Sequence, residues 1–247
     1  MIEFAPKSSE DKYGHGADTL GLITEQVVGL DLPKEVVSKW KSLLKSTGVV
    51  DHNLDKISDS KVREEFTSRL VAFLGGQNVD FSYNNKLDLA MKNIMNLADG
   101  LSNDRKIFLF DALKRVLIVT EKLKTEKGIS KFTNLTRLEG QVLIKIFFQF
   151  LPPEFADPKN PKCRKLMKVF SRLGRIANSM DTFFDLPQDY MNGETRLKPT
   201  VLNRLVLVGA IVADGISFLK EAKLSTKIIK HLFLRTKETI QNNRYKN

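Results

Sequence analysis

The sequence predicts an all-α protein, a single-domain bundle of about eight helices. Three observations carry this. Apolar residues recur at three- and four-residue spacing in segment after segment. No stretch alternates convincingly between apolar and polar residues, as a half-buried strand would. Proline and glycine fall between the periodic segments, where helices start and stop.

The segments read in order as follows. Asp31-Leu32-Pro33-Lys34 opens a helix carrying Val36, Val37, Trp40, Leu43 and Leu44, with the proline near its first turn. Another starts near Ser60, with Glu64 placed for a capping box, and stops at Gly75-Gly76. Leu87, Met91, Ile94 and Leu97 form a stripe ending at Gly100. Asn103 can cap a helix with Ile107, Leu109, Phe110, Leu113, Leu117 and Leu123. Thr136 and Glu139 lie early in a helix that ends before Pro152-Pro153. Pro161 begins a long helix through Leu166, Val169, Phe170, Leu173, Ile176 and Met180. Further helices are expected at Thr200–Leu219 and Thr226–Asn242, and a shorter one at Thr19–Val28. Residues 1–16 are expected to be a poorly ordered arm, and no linker divides residues 1–247 into domains.

Composition bounds the rest. The hydrophobic fraction is 42%, enough for a sizeable core. One cysteine, Cys163, excludes an intramolecular disulfide, and Cys and His are too few for a structural zinc site. Cys163 follows Pro161-Lys162, where a helix start would lower a thiol pKa. No secretory h-region is read at the N-terminus, and the longest apolar run, Val206–Val212, is too short to span a bilayer. A cytoplasmic protein is expected, with peripheral membrane association as an option. Forty basic against 29 acidic side chains give a net charge of +11, which favours polyanions such as phosphorylated substrates, anionic lipid or nucleic acid. The residues Lys230, Arg235, Lys237, Arg244 and Lys246 form the best basic stripe, equally readable as an amphipathic helix snorkelling on the core.

The most informative pattern is acidic. Asp51, Asp55 and Asp59 are spaced four apart, and so are Asp181, Asp185 and Asp189. On a helix such residues share a face and repel each other, which points to a cation between them. Carboxylates suit a hard divalent ion such as Mg²⁺, shared with a phosphorylated substrate. Asp59 can equally be the N-cap of the following helix.

The segment Asn178-Ser179-Met180-Asp181-Thr182-Phe183-Phe184-Asp185-Leu186-Pro187-Gln188-Asp189-Tyr190-Met191-Asn192-Gly193, followed by Leu197-Lys198-Pro199, resembles the second Asp-rich motif of the squalene/phytoene synthase family. Asp185 and Asp189 match its aspartates, Gly193 its glycine, and Asn178 stands where the family has Gln. Val50-Asp51-His52-Asn53-Leu54-Asp55 resembles the first motif, and Leu138-Glu139-Gly140-Gln141-Val142 the intervening Ala-Gly-x-Val segment. Asp181 stands for the family's Asn and Gly48 for its Arg, with Lys45 the nearest cation. Pro187 predicts a helix break that would turn Asp189 away from Asp185.

The resemblance implies an isoprenoid-synthase-like bundle around a central cavity and a prenyltransferase. Asp51, Asp55, Asp185 and Asp189 would be catalytic, and with Asp181 would hold Mg²⁺. Lys45, Asn178, Arg175 and Arg235 would bind the diphosphate. Phe147, Phe183 and Phe184 would line the cavity. The implied partner is a prenyl diphosphate (farnesyl or geranylgeranyl); no specific nucleic acid is expected. The alternative is a non-catalytic basic module that binds nucleic acid or an anionic membrane.

Overall fold

A computed structural model describes residues 9–223, and among them the secondary structure is entirely helical. The α-helices are α1 (Ser9–Val28), α2 (Lys34–Asp55), α3 (Ser60–Leu74), α4 (Asn85–Asp99), α5 (Asn103–Thr125), α6 (Ile129–Phe147), α7 (Pro153–Ala156), α8 (Pro161–Met191) and α9 (Val201–Ala222), with a 3₁₀ turn at Phe148–Phe150. Helix α1 begins at Ser9, ten residues before the expected Thr19, and so includes part of the stretch expected as an arm. The helix expected at Thr226–Asn242 lies outside the described residues.

Local chemistry sets most boundaries. Asp59 caps α3, its carboxylate accepting from the backbone N–H of Lys61 at 2.8 Å and of Val62 at 3.1 Å. The expected Ser60–Glu64 box is therefore replaced by an aspartate one residue earlier. Asn84, Asn160 and Thr200 cap α4, α8 and α9 in the same way. Asn103, expected as the cap of α5, is instead its first helical residue, and Ser102 occupies the cap position without a side-chain hydrogen bond. At the end of α9, Lys223 adopts the left-handed conformation, φ 47°.

Pro187 does not break α8, which continues to Met191. A proline inside a helix costs about 3 kcal/mol. Tertiary packing offsets it: Leu186, next to the proline, is fully buried in a small cluster with Val119, Leu123, Phe132, Leu197 and Leu207.

The main core is centred on Trp40, whose indole N–H donates to the carbonyl of Phe147 at 2.9 Å. Its ring meets Phe147 and Phe170 edge-on, with centroids 5.9 Å and 6.1 Å away. Trp40 thereby ties α2 to α8. Helices α6 and α8 approach until their backbones touch at Gly140 and Gly174. A Cβ at either glycine would fall on the other's carbonyl oxygen. Thr136 and Asn178, one turn away in opposite chain directions, also meet, so the two helices run antiparallel.

Candidate functional site: an acidic cleft above an apolar slot

The Trp40–Phe170 contact sets the geometry of the two aspartate runs. Asp51 is eleven residues beyond Trp40 on α2, and Asp181 eleven beyond Phe170 on α8. Eleven residues are close to three full turns, a rise of about 16 Å. Each aspartate thus looks out from the same face as the aromatic ring below it. Asp55 and Asp185 follow one turn later. The charge of Asp181 acts on Asp51 and that of Asp55 on Asp189, so α2 and α8 run the same way from this contact and both runs come to one end of the bundle.

Electrostatics record that proximity. Asp51 is pushed up to about 7 by desolvation first, then by the negative charges of Asp55, Glu139 and Asp181, with Lys124 opposing. Asp189 is also pushed up to about 7, by desolvation and then by Glu194, Asp185, Asp55 and Asp181. Charge from α2 therefore reaches α8 and the reverse. By accessible area Asp51 and Asp181 are exposed, although protein atoms crowd Asp51 on most sides. Both hold for a carboxylate recessed in an open cleft; accessible area decides that water reaches it, and crowding gives the direction of its shift.

Two side chains of the cleft floor are not among the site residues expected from the sequence, although one of them, Glu139, lies in the Leu138–Val142 segment. Lys124, at the end of α5, is 8% exposed and donates to Asp55 Oδ1 at 2.6 Å. Glu139 on α6 accepts from Asn178 Nδ2 at 2.8 Å and from the hydroxyl of Thr120. Burial raises the Glu139 carboxyl, and those two hydrogen bonds and Lys124 work against it. Asn178 also donates to the carbonyl of Thr136 at 2.8 Å. The glycine crossing is what lets α6 and α8 come close enough for these bonds. A sequence signal existed for Lys124: it stands at helical spacing from Leu113, Leu117 and Thr120, on a buried stripe.

Beside the carboxylates lies an apolar slot of about 70 Å³, lined by Asp51 and Thr120 and by residues such as Val50, Leu54, Met91, Leu113 and Leu143. Its walls come from α2, α3, α4, α5 and α6. The volume is well below the roughly 300–1,000 Å³ of a drug-sized ligand pocket.

The remaining expected residues are placed as follows. Asp59 serves as the α3 cap and has left the face of Asp51 and Asp55. Asp189 stays with Asp185, because α8 runs on through Pro187. Phe147 is a buried core ring against Trp40 and does not line the slot. Phe183 and Phe184 stack on each other, and Arg204 lies 4.6 Å over the Phe183 ring; neither lines the slot. Arg175 is turned to Gln141, at 2.6 Å, and towards Asp214, at 3.9 Å. Lys45 is exposed on α2. Arg235 lies outside the described residues. Cys163 is buried and donates to the Glu154 carbonyl, and burial raises its thiol pKa instead of lowering it.

The donor set, all carboxylate oxygens, has the right chemistry for a hard cation. Among the described residues, no three His, Cys, Asp or Glu side chains are gathered tightly enough to hold a metal ion by themselves. No family model matches this chain, and no curated protein or solved structure is significantly similar to it.

Proposed function

We propose that the chain is a prenyltransferase that acts on a prenyl diphosphate with Mg²⁺ as cofactor. The observation that carries this reading is the opposition of the two aspartate runs, on α2 and α8, beside an apolar slot. Burial first, and then the neighbouring carboxylates, push Asp51 and Asp189 up to about 7. Such carboxylates gain most from an added cation. In this reading Asp51 and Asp55 on one wall, with Asp181, Asp185 and Asp189 on the other, would hold Mg²⁺ when a diphosphate is bound as well. The ion would neutralise charge on the leaving diphosphate.

The chain's own residues have definite tasks. Lys124 holds Asp55 on the cleft floor, and Asn178 and Thr120 fix Glu139. The slot's leucine, valine and methionine walls suit a hydrocarbon and exclude water from a reactive allylic cation. A prenyl chain enters only if the slot widens, and Met91 is the wall residue with the most adaptable side chain.

The experiment is direct. Purified protein is incubated with farnesyl or geranylgeranyl diphosphate and Mg²⁺, and diphosphate release and extractable hydrocarbon are measured. Release that needs both the prenyl substrate and Mg²⁺ supports the reading. No release with either substrate, together with a melting temperature indifferent to Mg²⁺ plus a non-hydrolysable prenyl diphosphate, rejects it, since a ligand of the folded state must raise apparent stability.

A further inference from the structure

Helix α9 presents two unlike faces. Its inner face is bound to the body of the protein. Asp214, 1% exposed, accepts from Arg137 Nε at 2.7 Å and Nη2 at 2.9 Å and from Arg172 Nη1 at 3.1 Å. Leu207, Phe218 and Ala222 are buried beside it. The outer face carries Val201, Leu205, Val208, Val212, Ile216 and Leu219, spaced three or four apart, and all are exposed; Val201 is 77% and Leu219 52% accessible. Between Arg204 and Lys220 the only charged residue is the buried Asp214.

The sequence reading, limited to Val206–Val212, called this region too short to span a bilayer; the helix that forms is 22 residues long, with mean hydropathy 1.7, long and apolar enough to cross a membrane by length and composition. Crossing is opposed by the inner face. A helix held by a buried carboxylate–arginine cluster cannot be surrounded by lipid without breaking that cluster. What remains is a helix lying in the plane of an interface, with one face submerged.

We propose that the outer face of α9 is a lipid-docking surface that seats in the headgroup–acyl boundary of an anionic bilayer. Charge selects lipid over a second copy of the chain. Exposed Arg196 and Lys198 precede the apolar strip, and exposed Lys220 and Lys223 follow it. Pairing two copies through α9, parallel or antiparallel, would set basic end against basic end. An anionic headgroup layer neutralises both ends at once. The sequence after α9 has six Lys or Arg against one Glu over residues 224–247, the same sign of charge. This inference does not depend on the chemistry assigned to the cleft.

The test is flotation of the full chain with vesicles of phosphatidylcholine alone and of phosphatidylcholine with phosphatidylserine, together with size-exclusion chromatography without lipid. The variant is Val212→Glu/Ile216→Glu. Both side chains are exposed, so the melting temperature should hold. The native chain should float with the phosphatidylserine vesicles, about tenfold less with neutral ones, and less at high salt. The double variant should lose about tenfold in affinity for the anionic vesicles. Failure of the native chain to float overturns the proposal, as does a variant that floats as well as the native chain. A lipid-free dimer that the substitutions convert to monomer also overturns it, in favour of self-association through this face.

Discussion

Lys124 Nζ lies 2.6 Å from Asp55 Oδ1, joining the end of α5 to the end of α2 beneath the acidic cleft. The ammonium is almost wholly buried, while the carboxylate side chain is 37% exposed. This cation also lowers Asp51 and Glu139. Replacing it, Lys124→Met, keeps the apolar stem and removes the charge. The folded state should lose about 1–2 kcal/mol at neutral pH, less than for a fully buried pair because water reaches Asp55. The loss should grow between pH 5 and pH 8 as the cleft ionises without its cation. Urea unfolding at both pH values checks this; an equal loss at each would show that Lys124 acts through packing.

The pH dependence of the native protein follows from Asp51 and Asp189. Both titrate near 7 in the fold, against 3.8 for an unperturbed aspartate. Between those values the folded state holds protons that the unfolded chain has released. Their contribution is fully present below about pH 4 and is lost as pH rises through about 7. With other groups equal, Asp51→Asn and Asp189→Asn should flatten a fall in melting temperature between pH 5 and pH 8. If neither variant changes the slope, Asp51 and Asp189 are not raised by burial and neighbouring charge in the cleft.

Asp185→Asn separates catalysis from structure. Asp185 is among the charges that raise Asp189, so the amide should relieve that repulsion. If the proposed prenyltransferase reading holds, Mg²⁺-dependent diphosphate release should fall at least about a hundredfold, because stabilising leaving-group charge through a metal contributes several kcal/mol. A variant that is less stable yet fully active would remove Asp185 from the site.

Gly140→Ala tests the crossing that positions Glu139 and Asn178. The added methyl meets backbone oxygen, which cannot rotate aside, so α6 and α8 must separate. A loss of about 2–3 kcal/mol or more is expected. Gly209→Ala, on α9, meets nothing within 4 Å and should gain about 0.5–1 kcal/mol from helix propensity. Thermal melts of the two alanine variants should therefore move in opposite directions.

Asp214→Asn leaves Arg137 and Arg172 facing a buried neutral amide. Breaking a buried ion pair costs about 3–5 kcal/mol, and the partial exposure of these arginines places this case at the low end. Denaturant unfolding measures it. A loss below about 1 kcal/mol would mean that α9 is held by its apolar contacts alone.

The helical fold was legible because periodicity and punctuation are local. Pro33, Pro161, Gly75-Gly76 and Gly100 mark the chain where the helices begin and end, whatever lies across the core. The four-residue spacing of Asp51 with Asp55, and of Asp181 with Asp185 and Asp189, was equally plain, since it depends only on helix pitch. Tertiary structure decided the rest. Pro187 is locally a helix breaker, yet the burial of Leu186 outweighs it and keeps Asp189 in the cleft. Asp59 reads equally as a third member of its run or as an N-cap, and the turn after Asp55 makes it the cap. Lys124, Glu139 and Asp214 acquire their roles from partners 69, 39 and 77 residues away, and no pattern along the chain encodes a contact at that distance. Whether an apolar residue is covered is also a property of the packed whole. Val212 and Leu166 read alike in sequence, but the core encloses Leu166 and leaves Val212 in contact with solvent.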